Sequence, residues 1–543
     1  SRKWAFRTSA TYSKFGDLRM GRENNRDRYQ RNFYVERIDG HDSLIASDDP
    51  YLQEQSGYEQ MNFMQKVRFR PSAALDITYG LHLSTTTDIP RYDRLIQKSN
   101  EDNVPDTLKY AAWYYGPQEW IMNNLHVKYA RENLLFDQAK LTLAHQLFKE
   151  SRHKRKFAKT SKDEQFEKVD AYTANFDLEK RFGRHELFYG FEYLLNDIHS
   201  RAHDKDIQTM TTVPDQTRYP NGDNIYQTMA AYASYKHMLG EAFYGTAGVR
   251  YSHVLLNSNV DRNLMNLPVT EYKLNTGAFT GSLGLVKLFP ERGLRIAANL
   301  SSGFRAPNLD DIAKVFDSEP GTVIVPNDNL NPEYAYNADL TLRKSFGNNA
   351  FVRFTGFYTL LEDAIVRRPF AINGQDSITY DGELSEVKAN LNAGSATIYG
   401  FSADAQVTLM RNFYVQGALT WTTGEDDEGE PVRHVAPLFA NAHIVYENQN
   451  LKADFFFRYN GEIAADDLAP SETDKLHMYA LNAEGEAYSP AWHTLNFRIM
   501  YKLNQRIELS GAVENITDQQ YRPYSSGIVA PGRNFIISAR YSF

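Results

Sequence analysis

Residues 399–409 read Tyr-Gly-Phe-Ser-Ala-Asp-Ala-Gln-Val-Thr-Leu, and this stretch decides the fold. Alternate residues from Tyr399 to Leu409 are apolar, whereas those between them are small or polar. An alternation with a period of two is typical of a β-strand that has one apolar and one polar face. The stretch is about ten residues long, which suits a tilted strand that crosses a bilayer.

The same alternation recurs along the chain and predicts about twenty strands, the last of which ends on the final residue. It is clearest in residues 4–13, 74–83, 186–195 and 451–460. Short turns such as Pro71-Ser72 and Arg411-Asn412 alternate with long polar stretches. These stretches lie near residues 14–60, 84–119, 150–168, 197–225, 305–334, 362–395 and 462–490, and the basic run 152–156 falls in one of them.

Tight turns at one end and long loops at the other are typical of an outer-membrane barrel. We therefore predict an all-β fold: one large transmembrane antiparallel β-barrel over residues 1–543, with short periplasmic turns and long extracellular loops. The aromatic side chains (Tyr 35, Phe 32) would form interfacial girdles and a lipid-facing band. The opposite faces carry cations such as Lys66, Arg68 and Arg353, so the lumen is expected to be wet.

Composition excludes several other classes of protein. The absence of cysteine excludes disulfides, thiolate metal sites and a cysteine nucleophile. A formal charge of -8 argues against a nucleic-acid binder. No run of roughly 18 apolar residues is present, so a transmembrane helix is not predicted.

Several motifs carry a resemblance to a known family. The chain contains Val-Glu-Asn-Ile-Thr-Asp at 513–518, Tyr-Arg-Pro-Tyr at 521–524 and Ala-Pro-Gly-Arg-Asn-Phe at 530–535, and it ends in Tyr-Ser-Phe. Upstream, Gly-Phe-Arg-Ala-Pro at 303–307 is followed by Pro-Asn-Asp-Asn-Leu-Asn-Pro-Glu at 326–333. Together they resemble a TonB-dependent outer-membrane receptor, and the last two resemble its paired FRAP and NPNL-like boxes, best known from haem receptors. The stretches Pro-Arg-Tyr-Asp-Arg at 90–94 and Trp-Tyr-Tyr-Gly-Pro at 113–117 resemble the Bacteroidetes branch of the family.

The resemblance implies a barrel of 22 strands with an N-terminal plug inside it. It also implies that TonB delivers energy through the plug. The strand count is about two short of 22, and Ser1 already stands at a barrel strand. Because an open barrel would leave unpaired edges in lipid, we expect the plug, with or without the first hairpin, to lie upstream or on another chain. The alternative is a complete, plugless pore.

The two boxes supply the first candidate ligand-binding residues, which are Phe304, Arg305, Pro307, Asn329, Leu330 and Asn331. Arg305 can pair with carboxylates or with an anionic ligand, and prolines stiffen the ends of the loop. The alternative is that both boxes only fix the geometry of this loop.

A haem ligand would come from elsewhere in the chain. Residues 308–325 contain no His, Tyr, Met or Cys, although haem receptors that resemble this chain commonly carry a histidine there. The other loop candidates can equally be ordinary loop residues, and they are His434, His477, Met478 and Tyr479, together with His199 and His203. Tyr541 and Phe543 resemble the C-terminal assembly signal of bacterial outer-membrane proteins. Catalytic and metal-binding constellations are not found, so an enzyme is not predicted.

The resulting functional hypothesis is an active outer-membrane importer of a scarce, bulky nutrient, with an iron complex (a ferric siderophore or haem) as substrate and no resident cofactor. The partners implied are outer-membrane lipid and lipopolysaccharide, TonB-ExbB-ExbD acting through the plug, the barrel-assembly machinery and a surface lipoprotein, but no nucleic acid. The alternatives are a passive porin-like pore and a barrel that serves as the scaffold subunit of an outer-membrane complex.

Overall fold

The computed structural model describes residues 3–24, 29–99, 108–260, 271–313, 316–319, 322–327, 329–372, 374–380, 383–473, 475 and 477–543. Asp328, in the second box, lies outside these residues. The described part consists mainly of strands, with three one-turn helices, α1 (Tyr92–Leu95), α2 (Leu309–Ile312) and α3 (Pro470–Thr473). Two 3₁₀ turns cover Pro290–Arg292 and Ala465–Asp467. Across the described ranges, we find no helix with the length and apolar character needed to cross a membrane.

The strands of the first half of the chain are β1 (Trp4–Phe15), β2 (Leu18–Arg19), β3 (Phe33–Ile38), β4 (His41–Ala46), β5 (Leu52–Gln53), β6 (Tyr58–Phe69), β7 (Leu75–Thr86), β8 (Ile89–Pro90), β9 (Tyr110–Tyr115), β10 (Glu119–Ala130), β11 (Gln138–Lys156), β12 (Ser161–Phe182), β13 (His185–Asp206), β14 (Thr212–Pro214), β15 (Asn224–Gly240) and β16 (Phe243–Asn259). Those of the second half are β17 (Glu271–Phe289), β18 (Leu294–Arg305), β19 (Phe316–Glu319), β20 (Thr322–Val325), β21 (Glu333–Phe346), β22 (Ala350–Pro369), β23 (Ser377–Tyr380), β24 (Glu383–Met410), β25 (Phe413–Asp426), β26 (Phe439–Glu447), β27 (Leu451–Asn460), β28 (Ala480–Leu481), β29 (Ala487–Tyr488), β30 (Trp492–Lys502), β31 (Ile507–Glu514) and β32 (Asn534–Tyr541).

One sheet of 26 strands forms the barrel wall in the described part of the chain. Six of these strands, β8, β9, β14, β19, β20 and β23, are short additions from the loops. The other twenty follow one another in chain order, each antiparallel to the next. This count agrees with the number of strands that the period-two pattern predicts.

The two faces of the wall differ as the alternation requires. Large apolar side chains point outward and are exposed, for example Phe6 (69 %), Phe279 (70 %) and Ile537 (92 %). The inward faces carry ion pairs between neighbouring strands, and Arg353 Nε lies 2.6 Å from Asp404 Oδ1 across β22 and β24. An apolar outer surface suits a lipid environment, and paired charges suit a hydrated lumen.

The connections differ in length at the two ends of the barrel. At one end, here called the short-turn end, β12 and β13 are joined by two residues, and Gly183 adopts the left-handed conformation (φ +61°) that this tight reversal requires. At the other end, the long-loop end, residues 16–57, 87–118, 306–332, 461–491 and 515–533 connect the strands of the wall.

Several predicted loops are instead strands, so these loop boundaries were wrong. Residues 150–156 belong to β11 and residues 161–168 to β12, and much of 362–395 belongs to β22 and β24. The basic run 152–156 therefore lies on β11, where Arg155 Nη1 is 2.6 Å from Asp42 Oδ2. Beyond the bilayer both faces of a hairpin meet water, so the apolar alternation ends while the backbone pairing continues.

Candidate functional site

The loop between β18 and β21 carries the first group of predicted site residues. Arg305, at the end of β18, forms an ion pair with Glu333 at the start of β21. Its Nη1 also donates to Asp311 Oδ2 in α2 at 2.6 Å. Two carboxylates of the chain therefore already share this guanidinium, which fixes both ends of the loop.

Helix α2 begins with a capping box. Asn308 Oδ1 accepts hydrogen bonds from the backbone N–H groups of Asp310 (2.8 Å) and Asp311 (3.2 Å). Asp311 Oδ2 accepts in return from the backbone N–H of Asn308 at 3.0 Å. The sequence Asn-Leu-Asp-Asp supplies both partners, so this turn is fixed locally. Because Asp311 also binds Arg305, the cap is tied to the barrel wall.

Asparagine side chains fasten the second box to β24. The backbone N–H of Asn331 donates to Asn392 Oδ1 at 2.7 Å, and Asn392 Nδ2 donates to the carbonyl of Asn331 at 2.9 Å. Asn327 Nδ2 donates to the carbonyl of Asn390 at 2.7 Å, and Asn390 Nδ2 donates to the carbonyl of Asp311 at 2.9 Å. Asn390 and Asn392 are not among the residues predicted from the sequence, although their spacing of two on one strand is a visible signal.

An apolar cluster lies beneath this loop, and we call it the loop core. Its loop members are Ala306, Leu309, Ile312, Ala313, Val323, Val325 and Leu330, and they pack against Val254, Leu256, Val260, Tyr272, Leu274, Val387 and Ala389. Strand β20 also pairs in parallel with β24. Because Leu256 and Leu274 pair on the inward faces of β16 and β17, the loop is folded against the inner wall.

The loop core decides which box residues can meet a ligand directly. Leu330 is 4 % exposed, Pro307 is buried, and Phe304 packs against the cluster. Asn329 receives support from the second box itself, since its backbone N–H donates to Asn327 Oδ1 at 3.1 Å. The contacts of the box residues are therefore mainly with the protein.

The second group of predicted residues meets around a buried carboxylate, Glu472, in α3. Glu472 is fully buried; Tyr479 Oη donates to its Oε2, and its Oε1 lies 2.8 Å from Lys475 Nζ. Arg433 is also ion-paired with it, and His434 Nε2 lies 3.8 Å from its Oε1. Burial alone would raise the pKa of Glu472, but these donors and charges hold it below its ordinary value. The structure thus brings His434 and Tyr479 together through Glu472, which is not among the residues predicted from the sequence.

His477 and Met478 lie on the other side of this segment, next to the loop between β31 and β32. Arg522 Nη1 donates to the carbonyl oxygens of both His477 and Met478 at 2.9 Å. Gln97 Nε2 lies 3.1 Å from His477 Nε2, and since the amide nitrogen can only donate, the imidazole nitrogen accepts. Arg522 belongs to the Tyr-Arg-Pro-Tyr motif, which in the sequence indicates only the family resemblance.

The surroundings of His477 keep its ring neutral. Burial, and then the charge of Arg94, lowers the pKa of His477 to about 4. Arg522 and Lys475 add to this shift, whereas Asp93 opposes it. A neutral ring that accepts from Gln97 is able to bind a metal only after that hydrogen bond is broken. In the described ranges, no three His, Asp or Glu side chains form a group that could hold a metal ion.

The loop that contains His477 is expected to loosen in mild acid. The pKa of His477 is about 4 in the folded chain and about 6.5 when unfolded, so its contribution to stability is complete above pH 6.5 and is lost as the pH falls to 4. We expect a loss of about 2 kcal/mol over this window, because the ring is partly exposed. Hydrogen exchange at the Met478 amide between pH 7 and pH 4 measures it. His477→Gln should flatten this dependence, and equal slopes for both proteins would contradict the assignment.

The fold and the loops define a class of protein: a barrel with a lipid-facing outer wall, a polar lumen and folded loop clusters at one end. A family model described as TonB dependent receptor-like, beta-barrel, matches residues 5–516. The chain therefore belongs to the TonB-dependent receptor β-barrel family of outer-membrane proteins, whose members are transporters and not enzymes. The family resemblance is confirmed, and the Bacteroidetes branch stays a prediction.

Curated relatives of this chain include proteins of Haemophilus influenzae and Vibrio cholerae. Hemoglobin-binding protein A of Haemophilus influenzae is 23 % identical over 314 residues, which cover 50 % of this chain and 29 % of that protein. The iron-regulated outer membrane virulence protein of Vibrio cholerae serotype O1 is 22 % identical over 257 residues, which cover 46 % of this chain and 37 % of that protein. The chain thus spans about a third of the length of these relatives.

Solved structures share the fold over the whole chain. The copper transporter OprC matches with a TM-score of 0.75 at 13 % identity. The match covers 100 % of this chain and 76 % of the OprC chain. The FrpB iron transporter from Neisseria meningitidis (F3-3 variant) matches with a TM-score of 0.71 at 13 % identity, over 100 % of this chain and 77 % of the FrpB chain. The ferric yersiniabactin uptake receptor FyuA from Yersinia pestis matches with a TM-score of 0.65 at 15 % identity, over 99 % of this chain and 75 % of the FyuA chain.

Proposed function

We propose that this chain is the barrel of a TonB-dependent transporter that imports an iron complex, either a ferric siderophore or haem. In this proposal the long-loop end faces the outside, captures the complex, and releases it into the lumen when TonB acts on a plug. Haem or the siderophore is cargo and not a resident cofactor.

One observation carries the proposal: a barrel of this family presents folded, charged loop clusters at one end only. In the cluster around Glu472, the side chains of Arg433 and His434 are exposed and can meet a ligand at the long-loop end. The printed names of several relatives concern haemoglobin binding, iron regulation or iron transport, which favours iron over other cargo.

The edges of the barrel wall support a further part of the proposal, one hairpin that precedes β1; the plug itself follows from the family and would lie upstream of that hairpin. In the described part, β1 pairs with β6 and β32 with β31, and no pairing joins β1 to β32. Every residue of β32 is exposed. Since unpaired backbone groups are not tolerated in lipid, two more strands would close the gap and give the 22 strands expected for the family. The plug would then contact TonB-ExbB-ExbD.

Further partners follow from the same proposal. The barrel-assembly machinery would recognise the C-terminal strand with Tyr541 and Phe543, both of which are exposed. The outer wall would contact lipid and lipopolysaccharide, and a surface lipoprotein could cover the long loops.

Loss of TonB is expected to reduce uptake of the iron complex to background. The experiment measures accumulation of radioactive iron, supplied as haem and as ferric siderophores, in cells with the full-length gene, without it, and with it in a strain that lacks TonB. Uptake should require both the gene and TonB, because release depends on force applied to the plug.

A second measurement separates the transporter from a passive pore. The purified full-length protein should conduct little current in a planar bilayer, because the plug fills the lumen. Uptake that persists without TonB, together with a steady large current, would contradict the proposal and favour the pore. Uptake unchanged by loss of the gene would favour a scaffold.

A further inference from the structure

Two buried arginines, Arg31 and Arg522, lie where long loops meet at the long-loop end, and we call them the buried arginine pair. Arg31 belongs to the loop between β1 and β6, and Arg522 to the loop between β31 and β32. Only 3 % of Arg31 and 6 % of Arg522 is exposed. Tyr92 of α1 lies beside both, because the Arg31 guanidinium is 5.4 Å from its ring centroid and both charges act on its hydroxyl.

Backbone carbonyls hold each guanidinium group but leave some of its donors unused. Arg31 Nη1 donates to the carbonyl of Leu95, the last residue of α1, at 2.9 Å. Arg522 Nη1 donates to the carbonyls of His477 and Met478 in a third loop. Arg31 Nε and Nη2 and Arg522 Nε are buried and have no hydrogen-bond partner among the residues that the structure describes. Three donors of two charged groups therefore lack an acceptor.

Within the described ranges, no carboxylate pairs with either of these two charges. Asp93, the carboxylate of α1, is shared by Arg91 and Arg94. Glu54 attracts Arg31 electrostatically without forming an ion pair with it. Burial is the largest influence on the pKa of both members of the buried arginine pair, and it lowers that pKa. Because a guanidinium group stays charged in proteins, and a buried charge is costly unless it is paired, an anionic partner is expected here.

The unused donors of Arg31 are the two that bind a carboxylate side-on. Nε and Nη2 lie on one edge of a guanidinium group, and this edge matches the two oxygens of a carboxylate. Arg91 uses the same edge nearby, where its Nε lies 2.8 Å from Asp93 Oδ1 and its Nη2 lies 2.7 Å from Asp93 Oδ2. Arg31 therefore presents, unoccupied by the described chain, the contact that Arg91 makes with Asp93, and Arg522 Nε supplies a further donor.

We propose that the buried arginine pair binds the carboxylate of a small molecule from solution. Its two oxygens accept from Arg31 Nε and Nη2, and one of them also accepts from Arg522 Nε. All the loops that meet here lie at the long-loop end, which favours a solute over a polypeptide segment inside the lumen. The bound carboxylate connects the first and the last long loop and holds α1 between them. The site is independent of the proposed cargo, since it requires neither iron nor TonB.

Hydrogen exchange at the Ile96 amide measures this binding, because its N–H donates to the carbonyl of Tyr92 and reports the opening of α1. The full-length protein in detergent is compared in acetate and in chloride, at equal ionic strength and pH 7 and without iron. Acetate at about four times its Kd should slow exchange in the wild-type protein about fivefold relative to chloride. Arg31→Met should show no difference between the two salts. Arg31→Lys, which keeps the charge but loses the side-on edge, should show a weaker response than the wild type.

The matched control is Arg22→Met, which should respond to acetate as the wild type does. Arg22 lies in the same loop as Arg31, is half exposed and is already paired with Asp49 at 3.3 Å. Slow exchange of the β10 amides in chloride shows that a variant is folded, and Arg31→Lys decides the matter if Arg31→Met is not. A wild-type protein that exchanges equally in both salts, or an Arg31 variant that responds as fully as the wild type, would overturn the proposal. Either result would leave TonB-dependent uptake unaffected.

Discussion

Replacing Glu472 with alanine is expected to raise the rate of hydrogen exchange at the Met478 amide by roughly a hundredfold, equivalent to about 3 kcal/mol of local stability. Glu472 is fully buried and holds Tyr479, Lys475 and Arg433. Its removal leaves the buried hydroxyl of Tyr479 without its acceptor and the partly exposed cations Lys475 and Arg433 without their shared partner, and the loss of such contacts destabilises the segment. Exchange measured on the folded protein reports the opening of this segment.

The matched control is Glu484→Ala, which removes an exposed carboxylate from the same loop and should leave the exchange rate unchanged. The pH provides an independent check. Because the pKa of Glu472 is lowered, its contribution is present above the ordinary glutamate pKa of about 4.3 and is lost as the pH falls further. A variant that exchanges at the wild-type rate would show that the carboxylate does not hold the segment.

The strands were predictable because a barrel wall has two different surroundings. Lipid on one side and water on the other impose a period of two, as residues 399–409 show, and the same pattern gives twenty strands. The pattern fails where both sides are wet. Residues 150–156 continue β11 beyond the bilayer, and nothing in their alternation distinguishes them from a loop.

The candidate site was less predictable, because its contacts join residues that are far apart in sequence. Asn392 could be seen as polar, but its partner Asn331 is fixed only when β24 lies beside the loop that follows β18. Glu472 had no motif around it, and its role follows from burial. The boxes were recognised through Arg305, whose partners Asp311 and Glu333 became evident only in the fold.

Replacing Ile312 with alanine is expected to destabilise the loop between β18 and β21 by about 2 to 5 kcal/mol. Ile312 is fully buried in the loop core, and its carbonyl accepts a hydrogen bond from the backbone N–H of Asn327 at 3.0 Å. A smaller side chain leaves a cavity between α2 and the inner wall, which the surrounding strands cannot close. Hydrogen exchange at the amides of Val323 and Val325 measures the effect, since β20 is held against β24.

Two further variants, Leu384→Ala and Asn392→Ala, test whether the loop core or the asparagine hydrogen bonds hold the loop that carries the two boxes. Leu384→Ala removes an exposed side chain from β24 (74 %) and should change nothing. Asn392→Ala removes hydrogen bonds that each contribute about 1 kcal/mol, so its effect should be smaller than that of Ile312→Ala. If Asn392→Ala proved the more disruptive, the asparagine contacts and not the loop core would hold the loop. A larger effect of Ile312→Ala than of Asn392→Ala would mean that the apolar residues between the two boxes stabilise this loop more than the hydrogen bonds of the boxes do.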